Sequence, residues 1–329
     1  AQAMRALQAQ AGALKPEAIL FIDDDSPPAR AMRQLVRLRK LPHVALDRAA
    51  PAWASAWVGT LSAEQLRAWR TRSVSLAVVA PQTAAQMEAV RASLDAVPLL
   101  GETPPLQILL PSTAPTALVR SARDWTWPPQ PDGRAAHARR RSTKWVHLRA
   151  APVSHLTRVA ESWYPLDESE AFLLLAAGAV PSSLLYVFVK HFLLTMQTDS
   201  LLAVSLDAAG ASGAAASIAN GCGALFFPRA WSELRERAAA RAQRSTEAAH
   251  RSQASETLDT HAPAETAEWE QVIGELVHEG EFRIYERKGP PLCAFAGDGL
   301  SRLAQPPDLP ETLRFSGKSA RLISEPIEA

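Results

Sequence analysis

The chain has 329 residues, of which 47% are hydrophobic, and its 35 basic side chains nearly balance 34 acidic ones. The apolar fraction excludes wholesale disorder, and the length predicts about two domains of roughly 150 residues each. A formal net charge of +1 excludes a protein that binds polyanions through bulk charge. Two cysteines are too few for a disulfide framework or a four-cysteine zinc site.

Residues 1–124 alternate short apolar runs with amphipathic segments, which predicts a degenerate α/β domain of the Rossmann or receiver type. Strands are predicted at Ala18–Ile22, His43–Leu46, Ser73–Ala80 and Leu106–Leu110. Helices are predicted at Ala29–Lys40, after Ser62, and at Thr83–Val97. Strands that alternate with helices favour a mainly parallel sheet.

A linker is predicted at residues 125–144, because three prolines and a glycine lie within Trp125–Gly133. A pseudo-receiver-like α/β domain is predicted at 145–245, a polar linker or helix extension at 246–268, and a small α+β tail at 269–329. The predicted fold is therefore a tandem of mainly parallel, three-layer α/β domains with degenerate receiver-like topology. Further strands are predicted at Ala171–Ala177, Leu201–Leu206, Ala224–Phe227, Glu281–Tyr285 and Leu292–Phe295.

The longest apolar stretches are Ala171–Val180 and Leu184–Met196, which Pro181 separates. A bilayer span needs about 20 mostly apolar residues, so no transmembrane segment is predicted. The start of the chain lacks the pattern of a signal peptide. We therefore predict a cytoplasmic protein in a reducing compartment, with Cys222 packed and inert beside a buried strand.

Three consecutive aspartates, Asp23, Asp24 and Asp25, follow the first predicted strand. They suit a helix cap that faces solvent, where Asp25 or Ser26 would accept backbone N–H groups. Alternatively, an apolar strand followed by Asp-x-Asp resembles the first motif of haloacid-dehalogenase-type phosphatases. That resemblance implies Asp23 as nucleophile, Asp25 as general acid and Asp298 as a ligand of Mg²⁺.

Two other segments are candidate binding sites. Gly210, Ser212 and Gly213 lie between a predicted strand and helix, where a nucleotide phosphate can contact a helix start; the alternative is a tight turn. Arg139, Arg140 and Arg141 belong to the basic cluster Arg134–Lys144, beside Trp145. That cluster could contact nucleic acid or an acidic partner, or serve only as a polar linker. No cofactor motif and no metal-ligand spacing is found.

The segment Gly221–Leu234 is similar to the last strand and helix of a receiver domain, with Pro228 and Arg229 where a Lys-Pro pair normally follows the strand. With Leu61–Trp69 and Ser154–Trp163, it resembles the BcsE-type accessory proteins of bacterial cellulose secretion. The resemblance implies degenerate domains that dock onto a synthase complex and bind cyclic di-GMP, although the family's Arg-x-Gly-Asp motif is absent here. The sequence therefore favours a non-enzymatic regulatory or scaffolding protein of a bacterial complex, with protein partners and a nucleotide as candidate ligand.

Overall fold

The computed structural model describes residues 17–24, 26–48, 50–79, 81–129, 143–149, 155–176, 178–196, 198–207, 215, 218–219, 221–251, 262–280, 282–287, 289–295, 300, 303–308 and 320–323. The strands are β1 (Ile19–Asp23), β2 (His43–Asp47), β3 (Val74–Val79), β4 (Leu106–Pro111), β5 (Lys144–Arg149), β6 (Ala171–Leu175), β7 (Ala179–Pro181), β8 (Leu201–Ser205), β9 (Gly223–Phe226), β10 (Arg283–Arg287), β11 (Cys293–Phe295) and β12 (Ala320–Ile323). The α-helices are α1 (Pro27–Arg39), α2 (Ala52–Ser55), α3 (Ala63–Ala68), α4 (Ala84–Asp95), α5 (Thr116–Asp124), α6 (His155–Ala160), α7 (Leu185–Thr195), α8 (Pro228–Arg251) and α9 (Ala262–His278).

Eight of these strands form one central sheet, in the order β12-β10-β8-β9-β6-β3-β4-β5. Strand β9 runs antiparallel to both its neighbours and β12 runs antiparallel to β10, while the other pairs are parallel. The prediction of a mainly parallel α/β fold is therefore confirmed. Counted from β3, the strands β5-β4-β3-β6 follow the order 3-2-1-4, which is the order of dinucleotide-binding folds rather than the 2-1-3-4-5 order of flavodoxin-like folds.

The two halves of the chain share this sheet, because β3 pairs with β6 across the predicted linker at 125–144. Leu76 lies opposite Leu173, and both are buried. The expectation of two separate sheets in tandem is wrong in this respect. Both strands are uniformly apolar and buried on both faces, so their sequences did not show which strand each would choose as its neighbour.

The C-terminal region also joins the sheet instead of forming a separate tail. Strand β10 lies parallel to β8, and β12 covers its other side. Two neighbouring residues of β10 are buried on opposite faces of the sheet: Tyr285 belongs to one apolar cluster and Ile284 to the other. Strands β10 and β12, which fall in the predicted small α+β tail at 269–329, are therefore part of the central sheet.

Helices cover both faces of the sheet, which confirms the three-layer arrangement. On one face, α4, α5 and α7 pack their apolar side chains against Leu76, Leu173 and Leu225. On the other face, α6, α8 and α9 pack against Phe172 and Phe226. Within the part of the chain that the structure describes, no helix combines the length and the hydropathy that a bilayer crossing requires.

The first two strands form a parallel pair of their own. Ile19 lies opposite His43, and α1 packs Leu35 and Val36 against Ile19 in a small separate core. Among the described strands, β1 pairs only with β2, whereas a receiver places its first strand beside its third. The receiver order predicted for residues 1–124 is therefore not seen here.

Candidate functional site

A cavity of about 480 Å³ lies between the β1–β2 pair and the amino ends of β3 and β4. Its volume is in the range of small-molecule sites. The lining side chains come from both parts of the fold: Asp23, Ala45, Trp69, Arg70, Ser73, Val74, Gly101, Glu102, Thr103, Pro104, Pro105 and Tyr186. The cavity therefore contains the first residue of the aspartate cluster.

The described aspartates of this cluster are engaged with nearby groups. Arg33 Nε lies 3.3 Å from Asp23 Oδ1. Asp24 accepts the backbone N–H of Ser26 at 3.1 Å, and this hydrogen-bonding to Ser26 lowers the pKa of Asp24. Ser26 in turn caps α1 by accepting the N–H of Ala29 at 3.3 Å. The prediction that these residues organise the start of a helix is confirmed for Ser26.

Arg70 supplies the cationic side of the cavity. Its Nη2 donates to His43 Nε2 at 2.7 Å, which requires that nitrogen to be unprotonated. The other ring nitrogen, Nδ1, lies 3.3 Å from the carbonyl oxygen of Leu41. Partial burial, together with the charge of Arg70, lowers the pKa of His43. The imidazole therefore holds the guanidinium in place as a neutral acceptor.

A buried polar cluster, Lys190, Glu102 and Tyr186, closes the opposite wall. Lys190 is fully buried, and its ammonium donates to Glu102 Oε1 at 2.7 Å and to the carbonyls of Trp69 and Arg72 at 2.5 and 2.8 Å. Tyr186 donates to Glu102 Oε2 at 2.5 Å. Burial lowers the pKa of Lys190 and raises that of Tyr186. All three donors of the ammonium are used, so this cluster fixes the end of α3 and the loop before β3.

The sheet reverses its strand order between β3 and β6, which is the position where open α/β sheets hold their ligands. Here that position is occupied by protein. Strand β7 packs on α4, and Gly178, with φ +74°, brings the backbone against the side chain of Gln86. A Cβ at residue 178 would lie 3.4 Å from Gln86 Nε2. The cavity beside Asp23 therefore lies at the other end of β3.

Comparison of the chain with known protein families, with curated proteins and with solved structures finds no match. Several predicted site residues lie outside the described residues: Asp25, Asp298, Gly210, Ser212, Gly213, Arg139, Arg140 and Arg141. Their assigned roles as phosphatase, nucleotide-binding or partner-binding residues stay predictions. The phosphatase hypothesis in particular requires Asp298 near Asp23, and only Asp23 is described.

Sequence reasoning missed the strand β5, which forms one edge of the central sheet. Leu106 N–H donates to Thr143 O and Ser112 N–H donates to Arg149 O. Because backbone groups alternate in direction along a strand, the N–H and C=O groups of residues 144, 146 and 148 point away from β4. No backbone hydrogen bond from another described segment reaches them.

Among the described residues, two side chains of β5 are exposed at this edge of the sheet. Trp145 is 50% exposed and Leu148 is 44% exposed. Lysine on an edge strand normally discourages pairing with other chains. The Lys144 ammonium, however, turns inward and donates to the carbonyls of Ala122 and Arg123 at the end of α5, at 2.7 and 2.8 Å. Within the described residues, the Lys144 ammonium therefore does not protect the edge of β5, next to which Trp145 and Leu148 are exposed.

The two cysteines form a second feature that the sequence did not reveal. Cys222 is bonded to Cys293, with Cα atoms 5.8 Å apart, and both residues are buried. The prediction that Cys222 is packed beside a buried strand is confirmed, and its bond to Cys293 was not predicted. Spacing gave no signal, because the partners are 71 residues apart and meet only in the folded chain, where β11 pairs with β7 and Leu292 N–H donates to Leu206 O.

Asp207, just after β8, lies against this cysteine pair. Its Oδ2 accepts the backbone N–H of Cys222 at 3.1 Å, and its Oδ1 lies 2.7 Å from Cys222 Sγ. Burial raises the pKa of Asp207 to about 6. The carboxylate and the two sulfurs thus meet at the carboxyl end of β8.

Proposed function

We propose that this protein is a non-catalytic scaffold that binds a protein partner along the open edge of β5. The observation that carries the proposal is the edge itself, with outward backbone groups at residues 144, 146 and 148 beside exposed Trp145 and Leu148. An extended peptide adds to such an edge by backbone hydrogen bonds, and neighbouring side chains select its sequence.

The partner segment that fits is an extended strand with an acidic flank. Arg139, Arg140 and Arg141 shortly precede β5 in the sequence, and we propose that they attract carboxylates that flank the added strand. Rim charges of this kind mainly raise the association rate and the specificity of an interface. The proposal therefore combines two hypotheses from the sequence at one surface: a scaffolding protein and a binding site for an acidic partner.

The contacts of the polar groups in the cavity support a non-catalytic function for the protein. Asp23 is paired with Arg33, the Arg70 guanidinium is held by His43, and the Lys190 ammonium has its three donors engaged. A general base or nucleophile needs a substrate atom within hydrogen-bond reach and a partner that activates it. These side chains instead hold neighbouring segments together.

We extend the proposal to a bacterial exopolysaccharide complex, specifically cellulose secretion linked to cyclic di-GMP. This extension rests on the resemblance to BcsE-type proteins. Calorimetric titration of the chain with cyclic di-GMP, ATP and GTP tests the ligand part directly. Saturable binding of cyclic di-GMP alone would support it, and no binding of any of the three would remove nucleotides from the proposal.

Site-specific photo-crosslinking in the native host tests the partner site. A photoreactive phenylalanine analogue placed at residue 145 is expected to give one dominant protein adduct, mapped by mass spectrometry to an extended, acid-flanked segment. The matched control is the same analogue at Leu166, which is 91% exposed and lies outside any strand. Equal adduct patterns at both positions would contradict the proposal.

The alternatives give different outcomes. A Mg²⁺-dependent phosphatase would hydrolyse a phosphate ester and lose that activity in Asp23→Asn, which would overturn the scaffold. A nucleic-acid module would bind DNA or RNA with a steep salt dependence that vanishes when Arg139, Arg140 and Arg141 are replaced by glutamine. We expect neither activity in the purified chain.

A further inference from the structure

Three potential metal ligands from separate elements meet at one place: Asp207 after β8, Cys222 before β9 and Cys293 on β11. Their ligand atoms all lie within 4.8 Å of one another. Zinc bonds to thiolate sulfur at about 2.3 Å and to carboxylate oxygen at about 2.0–2.2 Å, so ligands of one tetrahedral ion must lie this close together. Once the S–S bond is broken, the two sulfurs and the carboxylate oxygen have to separate from direct contact to the spacing that one tetrahedral ion requires.

We propose that, when the two cysteines are reduced, Asp207, Cys222 and Cys293 bind a thiophilic divalent cation of the Zn²⁺ class. Two thiolates and one carboxylate are a donor set that zinc favours, with a water as fourth ligand. The cysteines are fully buried, while Asp207 is partly exposed. The carboxylate side therefore provides the path by which the ion and its water reach the sulfurs.

The surroundings of the site hold the ligands in position. Asp207 Oδ2 accepts the Cys222 N–H at 3.1 Å, which leaves Oδ1 directed at the sulfur. The backbone of β11 pairs with β7, with Cys293 opposite Pro181. Hydrogen bonds that orient a ligand raise the affinity of a metal site. In the oxidised chain the sulfurs are bonded to each other, so we expect zinc binding and the disulfide to exclude one another.

The chemistry balances with a phosphine as reductant. A water-soluble trialkylphosphine gives two electrons to the S–S bond, which breaks. Water supplies the two thiol protons and the oxygen of the phosphine oxide. Zinc then displaces both thiol protons to solvent, since metal-bound cysteine is the thiolate.

The test measures zinc retained by the full chain after gel filtration, with folding followed by circular dichroism. We expect about one zinc per chain in the phosphine-reduced protein, and none in the oxidised protein or in the double variant Cys222→Ser/Cys293→Ser. With Co²⁺ as probe, the reduced chain should show a thiolate-to-metal absorption band that both controls lack.

The carboxylate is tested by Asp207→Asn, which should weaken zinc binding at least tenfold in a chelator competition. Its matched control, Asp199→Asn in the exposed turn before β8, should leave the affinity unchanged. Zinc retention equal to the double-serine control would overturn the site. So would unchanged affinity in Asp207→Asn, or a reduced chain that unfolds and does not regain its circular dichroism with zinc.

Discussion

At the scale of single residues, Lys190 joins segments of the interior that are distant in sequence. Its ammonium is fully buried and bridges Glu102 to two carbonyls at the end of α3. Removing one partner of a buried ion pair leaves the other uncompensated, at a cost of about 3–5 kcal/mol. We therefore expect Lys190→Met to lower the free energy of unfolding by about 3 kcal/mol or more.

Urea denaturation with unchanged m-values measures this effect. The control is Arg67→Met on the exposed side of α3, which should change stability by no more than about 0.5 kcal/mol. A Lys190 variant as stable as that control would show that the buried cluster contributes nothing to folding.

A second residue-scale prediction concerns His191, whose ring packs edge-on against Trp57 at 5.1 Å. Burial lowers the pKa of His191 from 6.5 to about 4. Between pH 6.5 and about 4, the unfolded chain therefore binds a proton at His191 that the folded chain does not bind. The contribution of the neutral, buried His191 to the free energy of unfolding is complete above pH 6.5 and is lost as the pH falls towards about 4.

Comparison of the wild type with His191→Phe isolates this contribution. The phenyl ring keeps the aromatic contact, so the difference in unfolding free energy between the two proteins should shift in favour of the variant as the pH is lowered. Parallel curves for the two proteins between pH 6.5 and about 4 would contradict the assigned pKa shift.

Sequence reasoning succeeded at residues whose role is local. Ser26, Ser62 and Thr83 cap helices as their neighbours in sequence suggest, since each accepts an N–H three residues on. It failed where the role depends on distant residues. The local sequence around Lys190 does not indicate its role, because its acceptors are 88 to 121 residues away in sequence.

At the scale of elements, helix α1 ends in an unfavourable backbone conformation that can be improved. Lys40 is the C-cap, with φ 52° and ψ 35°, a left-handed conformation that costs most non-glycine residues roughly 1–2 kcal/mol. Glycine adopts it freely and is the common residue at such positions. Lys40→Gly is therefore expected to raise the unfolding free energy by about 0.5–1 kcal/mol.

The matched control places glycine inside the same helix. Arg37→Gly, at an exposed position of α1, should destabilise by about 1 kcal/mol. Thermal unfolding of both variants gives the comparison. Destabilisation of similar size at both positions would contradict the left-handed assignment at Lys40.

Most strands and helices were predicted from their apolar pattern, and the strands that were missed do not show such a pattern. The strands β3, β4, β6 and β8 are near-continuous apolar runs and lie close to their predicted positions. Strand β5 mixes apolar and basic residues, as an edge strand does, so its sequence shows neither a continuous apolar run nor a regular alternation. Strands β7 and β12 have three and four residues, too few to show any period.

At the scale of the whole molecule, the central sheet makes the two halves of the chain interdependent. The pairing of β3 with β6 lies near the middle of the sheet. A fragment of residues 1–142 would lack both β6 and β5. It would therefore expose the apolar edge of β3 to water, and β4 would lose its neighbour β5. We expect this fragment, expressed alone, to show no cooperative unfolding transition.

We expect the complementary fragment 143–329, expressed alone, to show no cooperative unfolding transition either. Mixing the two fragments is expected to restore a cooperative transition. Independent cooperative folding of either half would instead restore the domain boundary that composition suggested at 125–144. The composition of residues 125–144 carries no information on which strands pair across that segment.

The central claim is that the edge of β5 binds a partner strand through its backbone. Residue 148 directs its N–H outward, so Leu148→Pro removes one intermolecular donor without breaking the ladder to β4. Leu148→Ala removes the same side chain and keeps the donor. The decisive measurement is the affinity of both variants for the partner cross-linked at residue 145. We expect the proline variant to bind at least tenfold more weakly than the alanine variant, and equal affinities would contradict the proposal.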